Sequence, residues 1–136
     1  MNRVFADTAF YVAAINASDG LHNAARTFAQ SYRGELFTTE YVLVELRHWF
    51  LYNHGRDQYA AVANAIRTDP HTTIIPADGA LLAEGASLYA SRPDQNATLT
   101  DCISFVVMKR HNLTHALTPP GPFSQAGFTP LLIALD

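Results

Sequence analysis

A lone cysteine in 136 residues, Cys102, leaves this chain without an internal disulfide, so its stability has to come from buried apolar surface. Cys102 lies in the apolar stretch "DCISFVVM", the usual setting of a small buried thiol, and nothing in the sequence asks for an oxidising compartment. Long hydrophobic runs are also missing: none approaches the roughly 20 residues that a membrane helix needs. No basic segment precedes a long apolar one at the N-terminus. A cytoplasmic protein with no membrane association is therefore expected. Positive charge is scarce, with 9 Lys and Arg against 12 Asp and Glu and a net charge of −3. That excludes a global pull toward nucleic acid, so a polyanionic partner would have to be met by a local patch or through metal ions. No glycine-rich phosphate loop, no serine in a nucleophile elbow, no internal repeat and no low-complexity tract is present.

What is present is a 49% hydrophobic chain long enough for one compact domain over residues 1–136, burying roughly two thirds of its unfolded surface. Its cations are nearly all arginine, the better bidentate grip on phosphate, with Lys109 the single lysine. Strand-like runs occur at "RVFA", "GELFT", "HTTIIP", "THALT" and "TPLLIAL". Between them lie helical patterns. "SDGLHNAARTFAQSYRG" has Ser18 or Asp19 as cap and Gly34 as terminator, and "TTEYVLVELRHWFLYNHG" is ended by Gly55. "RDQYAAVANAIRTDP", "ADGALLAEGASLYASRP" and "TLTDCISFVVMKRHN" follow, and "TPPGPF" reads as a rigid turn. Strands alternating with helices predict a three-layer α/β/α fold with a central parallel sheet, whose working site lies beyond the carboxyl ends of the strands.

Asp7 stands at such an end. An apolar strand, "VFA", finishes on a carboxylate that is costly to bury without a partner. Alone, Asp7 reads as the N-cap of "TAFYVAA". Glu45 lies at the edge of the apolar stripe of Val42, Leu46, Trp49 and Phe50, where solvation is the simple reading. Asp101 follows Thr98 by three residues, a capping-box pattern, yet shares a helix face with Phe105 and Met108. Asp94, after Pro93, reads as a turn residue. As a set, clustered carboxylates would be partly protonated unless a cation neutralised them, and oxygen-only ligands suit Mg2+ or Mn2+. A metal held this way activates water on a phosphodiester, and a second would serve the leaving oxygen. The acids are too far apart in sequence to form a local motif.

Taken together, "VFADTAFYVA", "TTEYVLVEL", "DQNATLTDCISFVVMKRHNLTHALT" and "FSQAGF" resemble the PIN domain, and within it the VapC-like toxin ribonucleases, over essentially the whole chain. The resemblance implies a PIN-like three-layer fold and a magnesium-dependent endoribonuclease site. Asp7, Glu45 and Asp101 would be catalytic and metal-ligating, with Asp94 a further metal ligand. It also implies RNA as substrate, a cognate antitoxin protein as partner and a homodimer. One departure stands out: where the family reads threonine, any residue, aspartate, two residues, phenylalanine, this chain has "TPPGPF". Thr118 and Phe123 match, and Pro120, which cannot coordinate a metal, takes the place of the fourth acid. Three outcomes follow: a working site with Asp94 as substitute, a weakened one-metal site, or a degenerate domain acting as an RNA- or protein-binding module. Retained activity is the expectation, because a missing second-site ligand is more easily tolerated than a missing central one.

Other classes fit less of the sequence. A receiver domain needs an adjacent acidic pair, an aspartate after the third strand and a lysine after the fifth; here Asp78 reads as a helix start and Lys109 is elsewhere. His111 and His115 are four apart, but Asn112 and Thr114 place the helix end between them, so they need not share a zinc-binding face. Trp49, Phe50, Tyr52 and Tyr59 on the helical pair suit a core, a dimer face or a partner groove.

Overall fold

The computed structural model describes residues 2–53, 55–93 and 96–135. Its centre is a five-stranded sheet formed by β1 (Arg3–Ala6), β2 (Glu35–Thr39), β3 (Thr72–Ile75), β4 (His115–Leu117) and β5 (Thr129–Pro130). The order is β3-β2-β1-β4-β5, and every pairing is parallel. Covered faces explain the strand sequences: Val4, Phe5 and Ala6 are all fully buried. The helices are α1 (Thr8–Ile15), α2 (His22–Ser31), α3 (Glu40–Asn53), α4 (Arg56–Thr68), α5 (Gly79–Ser91), α6 (Leu99–Arg110) and α7 (Pro122–Gln125). No helix among the described residues is long and apolar enough to cross a membrane.

Local chemistry sets most boundaries. Thr39 Oγ1 accepts from the Val42 amide (3.1 Å) and holds the first turn of α3, while Asp78 accepts from Leu81 N (2.7 Å) and starts α5. Gly55, at φ 140°, opens α4 in a conformation that other residues rarely adopt. Asn112, at φ 55°, turns the chain between His111 at the end of α6 and His115 in β4, so these two histidines stand on different elements. Helix α6 buries Cys102, Ile103, Ser104, Phe105, Val107 and Met108, which fits a helix covered on most sides.

Three expectations need correction. The run "TPLLIAL" is a strand only at Thr129–Pro130, because the three-residue β4 offers little more to pair with; Leu132 is buried, but Ile133 and Leu135 are exposed. Pro130 fits this edge strand, since the ladder donors there are Thr129 N to Thr114 O (2.8 Å) and Leu131 N to Ala116 O (2.9 Å). Helix α2 is capped by neither Ser18 nor Asp19: Asp19 Oδ1 accepts from Leu21 N (2.8 Å) in a turn before it, and Tyr32 rather than Gly34 ends it. The proline cluster is a turn that runs directly into α7, with Pro122 at its first position, where a missing N–H costs nothing.

Candidate active site

Strands β1 and β4 are neighbours from which the chain runs out in opposite directions, so the strand order reverses between them. Ala6 pairs with Leu117, and the next residues, Asp7 and Thr118, therefore leave the sheet side by side at its carboxyl edge. Thr118 Oγ1 donates to Asp7 Oδ2 across that crevice (3.2 Å). Both side chains are buried. Asp7 occupies the cap position of α1 but makes no side-chain cap bond, so the N-cap reading of this residue fails in its energetic part. Its second oxygen, Oδ1, is buried without a hydrogen-bond partner. A buried orphan oxygen is expensive, and this one sits where a parallel sheet opens its ligand crevice.

The next residue, Thr8, is the first of α1 and donates through Oγ1 to Glu45 Oε1 (2.5 Å). Glu45 is half-buried on α3, not simply solvated. Asp101 forms the capping box of α6: Thr98 N donates to its Oδ2 (3.0 Å), and its own amide donates to Thr98 Oγ1 (3.0 Å). Asp7, Thr8 and Glu45 line one open depression together with His48, Tyr52 and Pro119. Asp94 lies outside the described residues. Pro120 is exposed, and its ring offers no ligand oxygen.

Electrostatics ties the three acids together. Burial pushes the Asp7 carboxyl up from 3.8 to about 7, and the negative charges of Asp101 and then Glu45 add to the rise. The Thr8 backbone and the Thr118 hydroxyl oppose it without compensating. Asp101 is also raised, first by desolvation, against its two bonds to Thr98. Among the described residues no three Asp, Glu, His or Cys side chains already stand at metal-enclosing spacing. The donors nonetheless fit a hard divalent cation: carboxylates only, one oxygen orphaned, and mutual repulsion that a cation would cancel. Thr8 was not among the candidates read from sequence, and Thr118 was singled out only as a match to the family's closing motif, without a role. Their partners are 37 and 111 residues away, beyond the reach of any local pattern.

Comparison with known proteins places the fold that carries this site. The family model described as "PIN domain" matches residues 4–119. The chain is 33% identical over 129 residues to the 23S rRNA-specific endonuclease VapC20 of Mycobacterium tuberculosis, covering 92% of this chain and 95% of the relative. The crystal structure of M. tuberculosis VapC20, described as a sarcin-ricin loop cleaving toxin, matches with a TM-score of 0.87 and 26% identity, covering 96% of this chain and 99% of the other. FitAcB from Neisseria gonorrhoeae matches with a TM-score of 0.65 at 15% identity, over 94% and 96% of the two chains, a likeness of fold.

Proposed function

The chain belongs to the PIN domain family, and on that footing we propose that it is a divalent-metal-dependent endoribonuclease, the toxin of a toxin–antitoxin pair. The observation that carries the proposal is Asp7: a carboxylate buried at the strand-order reversal, with an unpartnered oxygen and two further acids whose charges it feels. Asp7, Glu45 and Asp101 would hold Mg2+ or Mn2+, with Asp94 as a further ligand. When bound, such an ion supplies an activated water and offsets charge on the leaving oxygen of a phosphodiester. The protein's own part is to hold its ligands in place. Thr118 fixes Asp7 Oδ2, Thr8 fixes Glu45 Oε1, and Thr98 fixes Asp101 Oδ2, and at Asp7 the other oxygen is left bare for the ion. The relative's 23S rRNA specificity makes ribosomal RNA the first substrate to test. A cognate antitoxin, a homodimer and a cytoplasmic setting complete the proposal, carried by the VapC-like resemblance.

The decisive experiment is cleavage of total RNA by the purified protein with Mg2+, Mn2+ or chelator, against Asp7→Asn. Metal-dependent cutting that the variant lacks is expected; equal cutting by both would overturn the assignment of Asp7. One observation favours a second reading, a PIN-like module that binds RNA or protein without cutting: Pro120 stands exposed where the family carries its fourth acid. Pro120→Asp separates the two. A large gain in cleavage would mark a crippled parent, and calorimetry that finds no Mn2+ binding dependent on Glu45 and Asp101 would mark relic acids.

A further inference from the structure

Tyr52 is the most exposed large apolar side chain described, at 76%, and it lines the same depression as Asp7 and Glu45. An aromatic ring this exposed, in a depression that also holds two carboxylates, is open to a functional reason. Its place on α3 supplies one. Seven residues after Glu45, Tyr52 stands within about 20° of it around the helix and about 10 Å further along the axis. The other exposed apolar residues of α3, Val44 and Leu51, point about 100–120° away from Glu45, so they form a separate face. Nor is the ring loose: His48, one turn earlier and on the wall of the same depression, meets it at 5.4 Å with an interplanar angle of 73°. That contact steadies the ring and uses at most one of its faces.

We propose that Tyr52, steadied by His48, is a stacking shelf for one unpaired nucleobase of the RNA, beside the phosphate that the acids address. The inference rests on the nuclease reading of the depression and deepens it by naming a residue that grips the substrate: an RNA loop or single strand has unstacked bases with an open face, which a duplex lacks. A net charge of −3 leaves little general attraction for RNA, so a stacked base is an efficient source of grip. The test measures binding of a fluorescently labelled stem-loop RNA by anisotropy in Ca2+, and its cleavage in Mn2+. Tyr52→Ala is expected to weaken binding about tenfold or more, and Tyr52→Phe, which keeps the π face, to restore it. Abasic substitutions walked along the loop should include one that weakens wild-type binding as much, with no added loss in Tyr52→Ala. Three results would overturn the shelf: wild-type affinity in Tyr52→Ala, no rescue by phenylalanine, or a change of oligomeric mass by light scattering, which would assign the ring to an interface between copies. Tyr52-dependent binding without metal-dependent cleavage would sink the nuclease reading and leave the shelf standing.

Discussion

Replacing Asp7 by asparagine should make the metal-free protein more stable while abolishing its activity. Burial and the neighbouring acids raise the Asp7 carboxyl from 3.8 to about 7 in the folded chain. Folding therefore favours the neutral acid. Its contribution to stability is complete below about pH 4, is lost progressively as pH rises toward 7, and is flat above. About 3 units at 1.36 kcal/mol each set an upper figure of about 4 kcal/mol for keeping Asp7 ionised in the native state at pH 8. Asparagine escapes that cost, keeps a carbonyl oxygen for Thr118, and puts an uncharged amide where Asp7 Oδ1 stood. In chelator at pH 8, Asp7→Asn is expected to unfold about 2–4 kcal/mol later than wild type, a Tm rise on the order of 6–15 °C for a domain of this size. Near pH 4 the two should converge. Saturating Mn2+ should raise only the wild type, by about 2.7 kcal/mol at a hundred times Kd. Circular dichroism melts of both proteins at both pH values, with and without metal, measure all of this. A variant less stable than wild type at pH 8 in chelator would show that native contacts hold the charged carboxylate comfortably, and the account of the site as repulsive without its ion would fail.

Three further predictions concern the same architecture. Because an ion binds ionised Asp7, Mn2+ affinity by calorimetry should fall about tenfold per pH unit from pH 7 to pH 5; a flat profile would remove Asp7 from the ligands. Thr118→Val, which deprives Asp7 Oδ2 of its donor, should weaken Mn2+ binding about 10–100-fold with the fold intact by circular dichroism, and unchanged affinity would reduce Thr118 to packing. Gly85→Ala should destabilise by about 1–3 kcal/mol in urea titration, although alanine usually favours a helix, because its Cβ would stand 2.3 Å from Ile103 Cγ1. Equal or higher stability would mean that α5 and α6 separate freely.

The parallel sheet was legible because its strands carry the sign of two covered faces, continuous apolar residues such as Val4 to Ala6, with helical periods between them. Asp7 was legible for the same reason inverted: a carboxylate closes a run that has no use for one. Strand β5 was over-read, since apolar content cannot tell a paired residue such as Thr129 from Ile133, which lies on the surface. The orienting role of the hydroxyls was illegible, although Thr118 itself matched the family pattern. Thr8 and Thr118 acquire their role only after β1, α3 and β4 have come together, through contacts that no window along the chain contains.

Asp101 shows why a local pattern and a functional role need not compete. The capping box read from Thr98 and Asp101 is fully formed, which by itself would account for the aspartate. Were that its whole purpose, the carboxylate would belong to the helix end and matter little elsewhere. Its charge is instead the largest single neighbouring influence on Asp7, ahead of Glu45. The cap engages the carboxylate at Oδ2, through the Thr98 amide. Holding one oxygen with a backbone amide fixes the orientation of the other, and the helix N-terminus eases the negative charge that burial still disfavours. The same division recurs at Asp7, where Thr118 takes Oδ2 and leaves Oδ1 bare. Under the proposed function the cap is therefore part of the site: it presents a carboxylate to the crevice in a fixed direction, at a desolvation cost that its bonds to Thr98 offset only in part and that an ion would remove.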